Sequence, residues 1–175
     1  MEFTIKSKKY GNKTVLVDDE MWALVENFVW YLQYCEDTKT FYVATSLKEN
    51  EKYKVYPLHR MIMNNPINKI IDHINHNGLD NRISNLRVCS HSENMQHRKV
   101  GVKGSSIYKG VSLNKRDNLY YSAIKNNKIT YYLGCFKKEI EAAACYDNYA
   151  KIFHGDFAVL NGVDNNTWCK AEGMK

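Results

Sequence analysis

The sequence predicts an α+β chain in two parts: a strand–loop–strand–helix unit, then a three-stranded antiparallel sheet packed on one helix. Three observations predict it. "KII" and "LRVC" flank a loop crowded with Asn, Asp and Gly, and a Ser-x-x-Glu box follows at 90–93. "IYKGVSLNKRDNLYYSAIKNNKITYYLGCF" divides into three short strands at turn signals over 115–118 and 126–128. Ala143, Tyr146, Ala150 and Phe153 then recur at three- and four-residue steps, the period of an amphipathic helix.

The elements follow in order. "TVLVDD" reads as a strand ending in an acidic turn. "DDEMWALVENFVW" reads as a short helix with Asp18 or Asp19 as its N-cap. "TFYVATSL" and "YKVYPL" read as strands with a polar connection, and Trp22, Phe28, Trp30 and Tyr42 as core. "KII" is a short strand before Asp72, Asn77-Gly78 is a turn signal, and "LRVC" alternates as a returning strand. In "SHSE", Ser90 is placed to accept from the amide of residue 93 while Glu93 reaches back, a capping box that starts a helix through "NMQHRK". Gly155 suits the C-cap of the last helix. The predicted boundaries are 1–50 for an N-terminal strand/helix region, 51–98 for the strand–loop–strand–helix core, 99–106 for a basic Gly/Ser linker, 107–163 for the sheet and its helix, and 164–175 for a tail.

Charge is uneven along the 175 residues. Residues 1–98 carry 13 Lys/Arg against 12 Asp/Glu, whereas 99–134 carry seven against one. A positive field concentrated on one sheet suits an anionic partner such as nucleic acid. Cys35, Cys89, Cys135, Cys145 and Cys169 are odd in number, far apart and without a C-x-x-C, which argues against a disulfide framework and a zinc knuckle. Free thiols suit a reducing, cytoplasmic compartment. No apolar leader and no long apolar run is present, so neither secretion nor a membrane span is expected.

The loop between "KII" and "LRVC" is the chemical centre of the sequence. Taken singly, each Asn there also suits an ordinary turn. Taken together, Asp72 at a strand end and Asn94 in the first helical turn offer two oxygens to one cation. Few oxygen ligands and several waters suit Mg²⁺. His73, adjacent, is a candidate to take a proton from attacking water. Its other ring nitrogen then needs a holder, for which a loop carbonyl serves, with Asn85 bracing the loop.

"LHRMIM" at 58–63 and "IIDHINHNGLDNRISNLRVCSHSENMQ" at 70–96 carry, in order, L-H-R, D-H-I-x-x-N, L-D-N-R-x-x-N-L-R and E-N. This stretch resembles the HNH nuclease family, in the subgroup of phage and intron-encoded homing endonucleases. The resemblance implies a ββα-metal fold around one divalent ion, Mg²⁺ or Mn²⁺. His73 resembles the general base, Asp72 and Asn94 the metal ligands, and Asn85 the central Asn that fixes the loop. His59 and Arg60 match an upstream His-Arg, near the site or in packing. Many members of the broader family place a His where Asn94 stands, and His91 and His97, one turn to either side, remain alternative ligands.

The third zone carries Y-x-G-V, L-G-x-F, E-A-A-x-x-Y-D, an Ala, and G-x-x-A-x-L-N between residues 108 and 161. It resembles the AP2 DNA-binding domain, whose three-stranded sheet lies in the major groove of double-stranded DNA. Positions matching DNA-facing ones are Lys109, Ser112, Asn114, Lys125 and Tyr132, with Lys115, Arg116 and Lys128 in the turns as backbone contacts. Ser112, Asn114 and Tyr132 replace the Arg and Trp of plant members, so base preferences do not transfer. The combined expectation is a metal-dependent DNA endonuclease, a homing enzyme of a phage, prophage or intron, acting on duplex DNA without an organic cofactor. The competing expectation is a non-cutting DNA-binding regulator that retains the nuclease fold.

Overall fold

The computed structural model describes residues 1–99 and 104–163, so the tail and residues 100–103 of the predicted linker lie outside the described residues. The chain forms two compact units, Met1–Ser90 and His91–Lys175. The boundary falls at the start of the third α-helix rather than in the Gly/Ser segment expected from composition.

In the first unit, β1 (Glu2–Ile5) and β2 (Lys13–Leu16) form a hairpin in which Phe3 faces Val15. The helix expected over 18–30 is shorter. A 3₁₀ turn at Asp19–Met21 leads into one α-turn, α1 (Trp22–Val25). Asp18 stands at the N-cap position but makes no capping bond, and its carboxylate accepts from the Ile83 amide at 2.6 Å. The indole of Trp30 donates to Val25 O at 2.8 Å at the end of α1, and the chain leaves at once as β3 (Tyr31–Cys35). A run of aromatic and β-branched residues after Asn27 favours that strand over a longer helix.

The long β4 (Thr40–Glu49) pairs with β3 on one side and β5 (Lys52–Pro57) on the other. Then come α2 (Leu58–Ile62), β6 (Ile70–His73) and β7 (Leu86–Cys89), the last two antiparallel with Asp72 opposite Arg87. One core gathers Ile5, Val15, Val25, Val43, Leu58 and Leu86, with Trp22 and Trp30 half-buried against it. A short parallel bridge ties the β6–β7 loop to β2: Leu16 N donates to Leu79 O at 2.9 Å and Asn81 N to Leu16 O at 2.8 Å. That bridge gives the loop a fixed wall.

The second unit opens with α3 (His91–His97), then β8 (Val111–Asn114), β9 (Leu119–Asn126), β10 (Ile129–Phe136) and α4 (Glu139–His154). The sheet order is β10-β9-β8, all antiparallel, with a bulge between Tyr132 and Gly134. Asn127 and Lys128 both take positive φ, 48° and 68°, the conformation of a two-residue hairpin turn. Ile124 and Leu133 pack on Cys145, Tyr146 and Ala150 of α4, and Val111 on Ala142 and Ala143. Gly155 follows α4 at φ 51°, where a β-carbon is disfavoured. Because side chains alternate along strands, Ser112, Asn114, Tyr121, Lys125 and Tyr132 share the face turned from α4. Among the described residues no helix is long and apolar enough to cross a membrane.

Candidate active site

The β6–β7 loop holds its shape through its own short polar side chains. Asn85 Oδ1 accepts from Asn75 N at 2.9 Å while its amide donates to Asp80 O at 2.7 Å, joining the two ends of the loop. Asp80, 2% exposed, takes both Arg82 Nε at 2.8 Å and Nη2 at 2.7 Å, and Asn75 Nδ2 at 2.9 Å. The Arg82 guanidinium holds the Asp80 carboxyl below the usual range. Gly78 lies against β4: a β-carbon there would sit 2.3 Å from Phe41 O and 2.8 Å from the Tyr42 ring. Only a residue without a side chain permits that approach.

This frame presents Asp72 and His73 side by side at the end of β6, both buried. The Asp72 carboxylate is met by Arg87 across the ladder, Nε at 2.9 Å and Nη2 at 2.8 Å on Oδ2. The His73 Nε2 faces Asn81 Oδ1 at 3.4 Å, a long contact. Asn81 Nδ2 donates to Gly78 O, so Oδ1 is the acceptor, and the contact calls for the proton on Nε2 with the lone pair on Nδ1. Burial pushes the His73 pKa down against the opposing pull of Asn81, Asp72 and Asp80. The imidazole is therefore neutral near neutral pH, the form a general base requires.

Two rings flank His73 that the loop sequence alone does not reveal. His59, on α2, meets it edge to face with centroids 5.1 Å apart, and Tyr42 lies 5.7 Å from His73 and 5.8 Å from His59. Tyr42, expected in the core, is half-buried against this pair. Burial holds the His59 pKa down to about 3, with the His73 and Arg60 charges adding to the effect. Its Nδ1 is buried without a hydrogen-bond partner. Arg60 is occupied elsewhere. It donates to Asn65 Oδ1, Pro66 O and Lys69 O at 2.8–3.0 Å, pinning the segment between α2 and β6. Asn94, His91 and His97 occupy α3, which groups with the second unit; His91 is exposed, Asn94 half-buried and His97 buried. Among the described residues no three His, Cys, Asp or Glu side chains gather as a metal cage. The oxygen donor beside the neutral imidazole is the Asp72 carboxylate, which is paired with Arg87.

Buried neutral histidines set an acid limit on stability. His59, His73 and His154 all titrate below the ordinary histidine value, each chiefly through burial. With folded values below unfolded ones, their contribution is complete above the unfolded value and is lost as pH falls below it. Each adds a slope of at most about 1.4 kcal/mol per pH unit. Melting temperature is expected to hold from pH 8 to 7 and to drop from about pH 6.5 to 5, above the range where carboxylates protonate. His59→Leu is expected to flatten that drop, and equal slopes for variant and wild type would show that the ring is not buried in neutral form.

On the second unit's open face, Tyr121 and Tyr132 meet edge to face at 5.7 Å. Lys125, Lys115, Arg116, Lys128 and Ser112 are exposed. Asn114 is committed to the turn: its amide donates to Asp117 Oδ2 at 2.9 Å and to Tyr121 Oη at 3.0 Å, and its carbonyl accepts from Arg116 N at 3.0 Å. Lys109 precedes β8, and its ammonium donates to the main-chain carbonyls of Gln96 and Arg98.

Residues 64–96 match the family model described as HNH endonuclease. Over 164 residues, covering 93% of this chain and 81% of the relative, the sequence is 28% identical to a protein of Acanthamoeba polyphaga mimivirus described as an uncharacterized HNH endonuclease.

Proposed function

We propose that this protein is a DNA endonuclease of the homing type, with His73 as general base and one divalent ion, directed to its target by the open face of the C-terminal sheet. The observation that carries the reading is His73: a neutral imidazole with Nε2 engaged by Asn81, beside a buried carboxylate, inside the segment that matches the HNH family. In this reading His73 Nδ1 removes a proton from the water that attacks phosphorus. Asn85 and Asn81 keep the loop and the ring in place. Asp72 and Asn94 would hold the ion, a pairing that rests on the motif spacing, and the bound ion supplies electrostatic stabilisation of the charge that develops on the phosphoryl oxygens. Mg²⁺ or Mn²⁺ suits such oxygen donors.

Purified protein incubated with supercoiled plasmid tests the reading. Conversion to nicked or linear DNA is expected with Mg²⁺ and none with chelator. DNA binding without cleavage at any metal concentration would instead establish a non-cutting regulator.

The second unit is proposed to read duplex DNA through a ribbon of strands, which fits the major groove. Lys115, Arg116 and Lys128 sit in turns at the sheet's ends and would meet phosphates, while Lys125, Tyr132 and Ser112 would face bases. Removing the Lys115 or Arg116 side chain is expected to weaken binding to all sequences alike and to lower the salt slope by about one. Lys125→Ala is expected to change which sequences are preferred. Gel-shift titrations over a salt series distinguish the two classes, and a slope unmoved by either turn variant would remove those residues from the interface.

A further inference from the structure

We propose that Lys109 is a positioning residue for Asn94: its ammonium closes the C-terminal end of α3 and fixes that helix to the sheet and helix of its own unit. The ligand role of Asn94 rests on the nuclease reading above, whereas the anchoring rests on geometry alone. Helix α3 has seven residues, too few to be stable by itself in water. Its last carbonyls have no partners within the helix, and they form the negative end of its dipole. Lys109 Nζ donates to two of the carbonyls at that end, Gln96 O and, at 2.7 Å, Arg98 O.

Lys109 is itself held at both of its backbone polar atoms. Its amide donates to Asn161 Oδ1 at 2.7 Å, and its carbonyl accepts from Asn161 Nδ2 at 3.2 Å. Asn161 in turn donates to Asp147 Oδ1 from its amide at 2.8 Å and from Nδ2 at 2.9 Å, and Asp147 is a 2%-exposed residue of α4. A hydrogen-bonded path therefore runs from α3 through Lys109 and Asn161 to α4. A second tether joins Gln96 Nε2 to Asn126 Oδ1 on β9 at 3.2 Å. Burial draws the Lys109 ammonium down to about 8, in keeping with a cation turned to protein carbonyls rather than to a solvated phosphate. The sequence placed Lys109 among DNA-facing positions; its structural partners give it another role. Helix α3, and Asn94 on it, is thereby tied to the rest of the C-terminal unit.

The test uses the full chain carrying Lys109→Met, which keeps the stem and removes the donor, with Lys109→Arg and Asn94→Ala beside it. Lys109→Met is expected to raise the Mg²⁺ concentration for half-maximal plasmid cleavage about tenfold and to speed hydrogen exchange at the amides of α3 by a similar factor. Exchange in α4 and β9 should stay near wild type, and Lys109→Arg should restore much of both. The salt slope of DNA binding, measured with chelator present, should not change. A slope lowered by about one with Mg²⁺ midpoint and α3 exchange unchanged would assign Lys109 to a phosphate and overturn the proposal. Should Lys109→Met fail to fold, Gln96→Leu carries the same readouts through the second tether, and no change in either would overturn it. A wild type that never cleaves refutes the nuclease reading and with it the ligand half, whereas cleavage lost in Asn94→Ala without faster α3 exchange in Lys109→Met refutes the anchoring alone.

Discussion

Replacing His73 by Ala is expected to lower the single-turnover cleavage rate by roughly two to four orders of magnitude while DNA affinity stays close to wild type. The expectation follows from how the ring is held. His73 is 5% exposed and draws its position from β6, from Asn81, and from the rings of His59 and Tyr42. Burial keeps it unprotonated, and its acceptor Asn81 reserves one nitrogen for donation and the other for a proton. Truncation removes the lone pair without removing the frame, because Asn85, Asp80 and Arg82 brace the loop independently of the imidazole. Affinity should persist because the basic excess lies in residues 99–134. Measured with a chelator in the binding assay and Mg²⁺ in the cleavage assay, equal rates for variant and wild type would remove His73 from the chemistry.

Gly110→Ala is expected to cost more than about 3 kcal/mol in the stability of the second unit. Gly110 takes φ +74°, a region that disfavours side chains, and an added β-carbon would lie 1.9 Å from Tyr146 Cδ2 and 2.8 Å from Ala123 O. Tyr146 cannot step aside: it is 2% exposed and sits in the cluster of Ile124, Leu133, Cys145 and Ala150. Strain and overlap therefore add, and relief requires separating α4 from the sheet. For a unit of this size the loss corresponds to a fall in melting temperature of about 12 °C or more. Calorimetry on the full chain checks it, and a variant melting within about two degrees of wild type would show that the contact between Gly110 and Tyr146 is loose.

Local order was legible in the chain itself. The strands at β2, β4, β5, β6 and β7, the three-stranded sheet with its two turns, and α4 ending at Gly155 all follow from period-two and 3.6-residue patterns with matching turn chemistry. Asn85, placed as a loop brace by its position in the motif, bonds Asn75 N and Asp80 O, while composition alone does not separate it from Asn75, Asn77 and Asn81. Three elements of the first unit were missed, the β1 and β3 strands and α2, since four or five residues carry too little periodicity.

The sequence by itself determined which residue types are close along the chain: the Asp72–His73 pair, the loop that carries it, and the basic sheet backed by an alanine-rich helix. Tertiary structure alone decided which distant groups meet them. Asp18 serves Ile83 across 65 residues instead of capping α1. Tyr42 and His59 wall His73 from β4 and α2. Arg87 faces Asp72 only through the β6–β7 register. Lys109 turns inward to α3, and α3 joins the second unit rather than the first. Propensity and periodicity act over a few residues, whereas a buried charge or an open helix end takes whichever partner the folded chain brings within about 3 Å.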